Sequence, residues 1–177
     1  MNRMRHAMGV VACLSAALLS GCDVEPTEGY TLQSQYRPGI RTVDVPIWTV
    51  SKDVYRRGLE YRLTEAIKKR IELDTPYKIA RRGRADTRLT GQIEKIEQRV
   101  ISSNPRTGRP MEQEVAYTVS LRWVDLRTGE QLARRKDLRV TASYIPHAPV
   151  GEDFFLASED ALNKLAVRVV EEMEADW

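Results

Sequence analysis

The sequence predicts an α+β fold: two amphipathic helices on one face of a three- to four-stranded, mainly antiparallel sheet, a two-layer sandwich. Three observations predict it. Val115, Tyr117, Val119, Leu121 and Trp123 alternate without fault with Glu114, Thr118, Ser120 and Arg122, the pattern of a strand with one dry face. Leu59, Leu63, Ala66, Ile67 and Ile71 share one side of a helix. Phe155, Leu162, Ala166, Val169, Met173 and Trp177 recur near every 3.6 residues and mark a second helix. The expected order is β-α-(β)-β-β-β-α.

Thr42 to Trp48 reads as the first strand, with Val43, Val45 and Ile47 on one side. Pro46 lacks an N–H, so either that position faces away from a neighbour or the strand lies at an edge. Asp53 is placed to cap the first helix. Glu65 and Lys69 are spaced for an i,i+4 pair on its wet side, and Asp74-Thr75-Pro76 closes it. Tyr77 to Ala80 suits a brief strand, and Arg81 to Asp86 a basic turn.

Thr87 to Ile101 reads as a strand whose parity slips between Ile93 and Ile96. Two readings fit: a β-bulge near Glu94-Lys95, or burial of first one face and then the other. Ser103 to Pro110 forms a turn-rich loop, and Asp125 to Glu130 a hairpin connection. In the return strand, Leu132, Leu138, Val140, Ala142 and Tyr144 are in phase. Arg134 and Lys136 share that phase, so they lie beyond the helices' cover or a bulge turns them outward. Pro146 and Pro149 lead to the last helix, where Glu152 and Asp153 suit a helix N-terminus.

The chain has 177 residues, enough for one domain. Its net charge is 28 − 25 = +3, and Arg3 and Arg5 lie in a segment expected to be removed, leaving 26 − 25 = +1. No whole-chain field would draw it onto nucleic acid. Residues 1–21 read as a signal peptide: a basic start, then an apolar run from Met8 to Leu19. Leu19-Ser20-Gly21-Cys22 resembles a bacterial lipobox, so Cys22 is the expected lipid attachment site and 22–40 the tether to a domain over 41–177. The alternative is an ordinary secretory signal that happens to contain Cys. Asp23 follows Cys22 and leaves retention at the inner membrane open.

Maturation at Cys22 would leave no free thiol and one histidine, His147. A zinc site needs more ligands than that. No G-x-S-x-G, P-loop, H-E-x-x-H or C-x-x-C occurs, and no cofactor or metal is expected. Glu171-Glu172 and Glu112/Glu114 fit solvated surface better than an acid/base pair, and Trp48, Trp123 and Trp177 fit a core better than a stacking platform.

An ordered series of short matches resembles the LPS-assembly lipoprotein family, LptE. It runs through Gly29-Tyr30, Ile40 to Ile47, Arg57-Gly58-Leu59-Glu60 with Leu63 to Ile67, Thr75 to Lys78, Ala85-Asp86-Thr87 with Leu89, Gly91 and Ile93, and Asp125 to Glu130. The resemblance implies two helices on one sheet and no enzymatic activity. It also implies an outer-membrane lipoprotein that plugs an LptD-type β-barrel, assists its assembly and helps deliver lipopolysaccharide. Basic residues at the tip of the central hairpin are implied to meet lipid A phosphates; here these are Arg106 and Arg109. The loop before the last helix offers His147 and no Lys or Arg. A lipid-anchored adaptor for another envelope machine, such as cell-wall synthesis, and a lipid-anchored hydrolase are the alternatives.

Overall fold

The computed structural model describes residues 34–146 and 154–174. The fold is that of the unit Gln35–Trp177. The signal peptide, Cys22, Asp23, Gly29-Tyr30, His147, Glu152, Asp153 and Trp177 lie outside the described residues.

Among the described residues eight elements succeed one another: β1 (Thr42–Asp44), β2 (Thr49–Val50), α1 (Leu59–Asp74), β3 (Lys78–Ile79), β4 (Thr87–Ser103), β5 (Pro110–Asp125), β6 (Gln131–Tyr144) and α2 (Phe154–Glu171). The class is α+β, as expected. The sheet is larger than expected and mixed: six strands ordered β3-β1-β4-β5-β6, with β2 also paired to β4. The β4-β5-β6 meander is antiparallel. β1 is parallel to both β3 and β4, and β2 is parallel to β4. β1 and β3 fall within strands expected over Thr42 to Trp48 and Tyr77 to Ala80; β2 and the parallel pairings of these two- and three-residue strands were not expected.

Pro46 explains one departure. The expected strand does not run through it: β1 stops at Asp44, and β2 resumes farther along the same edge of β4. Proline therefore sits in the break, where its missing N–H costs no ladder bond. The side-chain parity resets across it, so Ile47 is exposed and Trp48 is buried. The Trp48 amide donates to Thr64 Oγ1 (3.0 Å), and that hydroxyl donates to the Glu60 carbonyl (2.6 Å). This chain of bonds fixes Trp48 between α1 and β4. A Cβ added to Gly91 would overlap three atoms of the Trp48 ring. Glycine in this strand thus makes room for an aromatic side chain.

The helix α1 buries Leu59, Leu63, Ile67 and Ile71, and α2 buries Ala161, Leu162, Leu165, Ala166 and Val169. These join Val43, Leu89, Ile93 and the odd-numbered run Val115–Trp123 in one apolar cluster. Each fully buried aliphatic side chain contributes about 1.5–3 kcal/mol.

Several local expectations need correction. Asp53 does not cap α1; it lies in the turn closed by the Val54 amide on the Ser51 carbonyl (3.1 Å). The helix starts after Gly58, whose left-handed φ of 86° turns the chain into it. Glu65 pairs with Lys68 (2.8 Å) rather than Lys69, the i,i+3 neighbour on the same turn. Phe155 does not face the core. Its neighbour Phe154 packs there, and Phe155 lies exposed under the Arg62 guanidinium, 3.9 Å from the ring centre. Thr75 does close α1, its amide bonded to the Ile71 carbonyl (3.2 Å).

Two register shifts decide what the long strands present. One falls between Ile93 and Lys95, so Ile93 pairs with Val119 and Ile96 with Tyr117. The bulge reading of the parity slip is therefore the right one. The other lies in β6, where Leu138 pairs with Val119 but Arg135 pairs with Leu121. Asp137 takes φ 57° at this bulge, a conformation that aspartate tolerates better than most residues. It turns Arg134 and Lys136 away from the helices and brings Arg135 to Glu172 at the end of α2.

Candidate functional site

The distal end of the β4–β5 hairpin carries the residues singled out at its tip. Two strands of 17 and 16 residues form it. Toward the tip the helices no longer cover it, and Gln98 to Ser103 are all exposed. Two further register shifts, at Val100/Ser102 and Ser102/Ser103, break the ladder near its end.

Asn104 builds the tip. Its side-chain Oδ1 accepts the amides of Arg106 (2.9 Å) and Thr107 (3.1 Å), and its carbonyl accepts the Gly108 amide (2.8 Å). Its own amide donates to the Arg109 carbonyl (2.8 Å). Such an Asx turn satisfies the backbone locally. Gly108 supplies the positive φ of 67° that the turn requires. The backbone of the tip is thus tied down, while the Arg106 and Arg109 side chains are exposed. Among the described residues, no acidic group lies within ion-pair distance of either.

The shaft below supplies a second feature. Val100, Ile101, Met111 and Ile145 are large apolar side chains with about half their surface in solvent. Met111, Tyr144 and Ile145 border a shallow cavity of about 420 Å³ with Ser102, Glu112 and Ser143. Farther in, Arg99 meets Glu114 (3.0 Å), and Glu97 is shared by Lys95 (2.7 Å) and Arg139 (3.2 Å). The Lys95 ammonium holds the Glu97 carboxyl below the usual carboxylate range. Cations on the shaft are thus neutralised, whereas those of the tip are not. Sequence reasoning found the arginines and missed the apolar shaft. Its signal was the failing alternation after Ile96.

Three of the four carboxylates weighed against acid/base chemistry are ion-paired. Glu171 binds Arg168 (2.8 Å), Glu172 binds Arg135, and Glu114 binds Arg99. Among the described residues no cluster of three His, Cys, Asp or Glu side chains could hold a metal ion. Trp48 and Trp123 are core residues. Exposed apolar side chains near unpaired guanidinium groups can bind an amphiphile with a phosphorylated head, because Arg makes paired, charge-assisted bonds to phosphate.

The family model LptE, lipopolysaccharide-assembly, matches residues 40–176. The chain belongs to the LptE family. Its role is therefore that of a lipopolysaccharide-assembly lipoprotein. Among curated proteins none matches it in sequence. Solved structures share its fold at low identity. An uncharacterized lipoprotein B from Nitrosomonas europaea superposes with a TM-score of 0.52 at 18% identity, covering 83% of this chain and 91% of that one. A hypothetical protein from Chlamydia trachomatis gives 0.51 at 9% identity, covering 76% and 98%. Among the described residues of this LptE-family chain, no helix is long and apolar enough to cross a membrane.

Proposed function

We propose that this LptE-family chain is an outer-membrane lipoprotein, anchored by acyl chains on Cys22, that plugs and helps assemble an LptD-type β-barrel and assists lipopolysaccharide delivery. The observation that carries the reading is the hairpin: unpaired Arg106 and Arg109 on a rigid Asx turn, above the exposed Val100, Ile101 and Met111. A lipid A headgroup presents phosphates to the former and acyl chains to the latter. The rest of the molecule supports a scaffold. One continuous core holds both helices on the sheet, and paired ions cover much of the surface. A polar, compact wedge suits the polar lumen of a large barrel. Two or more acyl chains on Cys22 give stable anchoring, at about 0.8 kcal/mol for each buried CH₂.

Two experiments test it. Replacing Arg106 and Arg109 together with Glu in the lipidated full chain should weaken lipopolysaccharide binding about tenfold or more, with circular dichroism unchanged. Unchanged binding returns both residues to an ordinary solvated turn. Cys22→Ala should move the protein from the membrane to the soluble fraction; continued membrane association would remove the anchor from the account.

A further inference from the structure

The sheet face turned away from the helices carries a concave groove of about 690 Å³. Its floor is Thr90, Gly91, Gln92 and Ser120, and the β6 bulge at Asp137 forms one wall. On this face most cations are paired: Arg88 with Asp44 (2.8 Å), Arg99 with Glu114, and both Lys95 and Arg139 with Glu97. Three at the groove differ. Arg122, Arg134 and Lys136 are exposed, and among the described residues none has an acidic partner within ion-pair distance. Arg122 and Arg134 are moreover cross-strand partners in the β5–β6 ladder. Like charges placed directly opposite destabilise a sheet, so this pairing costs stability in the free protein. An anion between them would reverse that cost. The groove also holds the carboxylates of Glu94, which accepts the Ser120 hydroxyl (2.6 Å), and Asp137. Fixed carboxylates and hydroxyls are acceptors and donors for sugar hydroxyl groups.

We infer that this groove binds a phosphorylated saccharide, the phosphate held by Arg122, Arg134 and Lys136 and the sugar by Glu94, Asp137 and Thr90. The volume suits a small ligand of this kind. Ser103, at the hairpin tip, lies eleven positions beyond Gln92 along β4. At about 3.3 Å per residue, the groove lies roughly 35 Å from the tip. It is a separate site. Given the proposed function, on which this assignment of the source rests, the saccharide is the phosphorylated sugar region of the same glycolipid.

The test titrates glucose 6-phosphate, glucose and inorganic phosphate into the lipidated full chain in detergent and follows amide NMR shifts. Glucose 6-phosphate should move Thr90, Gln92, Ser120 and Arg122 saturably. Inorganic phosphate should act at the same amides about tenfold more weakly, and glucose should leave them unmoved. Arg122→Gln with Arg134→Gln should weaken the response about tenfold or more, while the urea midpoint stays equal or rises as the like-charge pair is removed. Absence of shifts in the groove, or an undiminished response in the double variant, overturns the site. Equal binding of glucose 6-phosphate and inorganic phosphate overturns the saccharide assignment. The Arg106→Glu, Arg109→Glu chain should keep the groove response. If the unsubstituted chain gives the groove response yet captures no lipopolysaccharide, the glycolipid reading fails and the phosphosugar site stands.

Discussion

At Gly91 the backbone of β4 passes against the ring of Trp48, and this approach leaves no room for a methyl group. Gly91→Ala should therefore destabilise by about 1–3 kcal/mol, the range for overpacking a well-filled core, read as a lower thermal midpoint. A neutral result would mean that Trp48 has another place to go. Asp86 works through polarity. Its Oδ2 accepts the amides of Arg41 (3.0 Å) and Thr42 (3.0 Å) and the Thr42 hydroxyl (2.9 Å). The Arg41 amide first, then the Thr42 hydroxyl, hold its carboxyl below the ordinary range. A depressed carboxyl stabilises the fold above its unfolded pKa of about 3.9 and loses that contribution as pH falls through the folded value. Asp86→Asn should thus lower stability at neutral pH, and its deficit against the parent should shrink below about pH 4. A deficit independent of pH would assign the loss to packing. Trp48 was legible as a core residue and Gly91 as sharing the face of Leu89 and Ile93. Their contact was not, because it depends on the parity reset at Pro46.

Among elements, the bulges decide which face each side chain joins. The parity slip between Ile93 and Ile96 was readable because both flanks carry apolar residues, and its resolution is the shift at Ile93/Lys95. Arg134 and Lys136 gave the same kind of signal in β6: charged residues in an apolar phase require either a bulge or an uncovered end. The structure answers with Asp137 at φ 57°. Asp137→Val puts a β-branched residue where φ is 57°, so the strand must either keep a strained bulge or flatten into a regular ladder that turns Arg134 toward the helices. The expected cost is on the order of 1–3 kcal/mol, that of strained backbone, measured as a lower urea midpoint. An unaltered midpoint would show that β6 slips without penalty. β2 was beyond sequence reasoning, whereas β3 falls within the brief strand expected over Tyr77 to Ala80 and only its partner was not legible. Two residues have no period, and their parallel pairing is set by where α1 returns the chain. The start of α1 was misplaced for a related reason. Asp53 offers a capping side chain, but the turn at Ser51–Val54 and the left-handed Gly58 determine where helical dihedrals begin.

For the molecule as a whole, sequence reasoning supplied the class, the two helices, the central meander and the tip arginines. It supplied neither the extent of the sheet, which rests on the backbone pairing of short strands, nor the ion pairing of the tip and the groove, which depends on which acidic residues meet which basic ones in space. With a net charge of +3 over the entire chain, almost every ionic effect is local. Arg88 beside β1 and Lys95, Arg99 and Arg139 on the shaft find carboxylates; Arg106 and Arg109 at the tip and Arg122, Arg134 and Lys136 at the groove have no acidic partner among the described residues. That distribution fits a scaffold presenting separate anion-binding surfaces, and it fits the LptE family to which the chain belongs. The central claim is that this scaffold operates inside a barrel. The most direct measurement is affinity purification of the tagged, lipidated chain from detergent-extracted native membranes, with the molar ratio of copurified protein determined. The account predicts a large outer-membrane β-barrel protein in roughly equal amount. Recovery of the chain alone, or with a cell-wall synthase in place of a barrel, would contradict it.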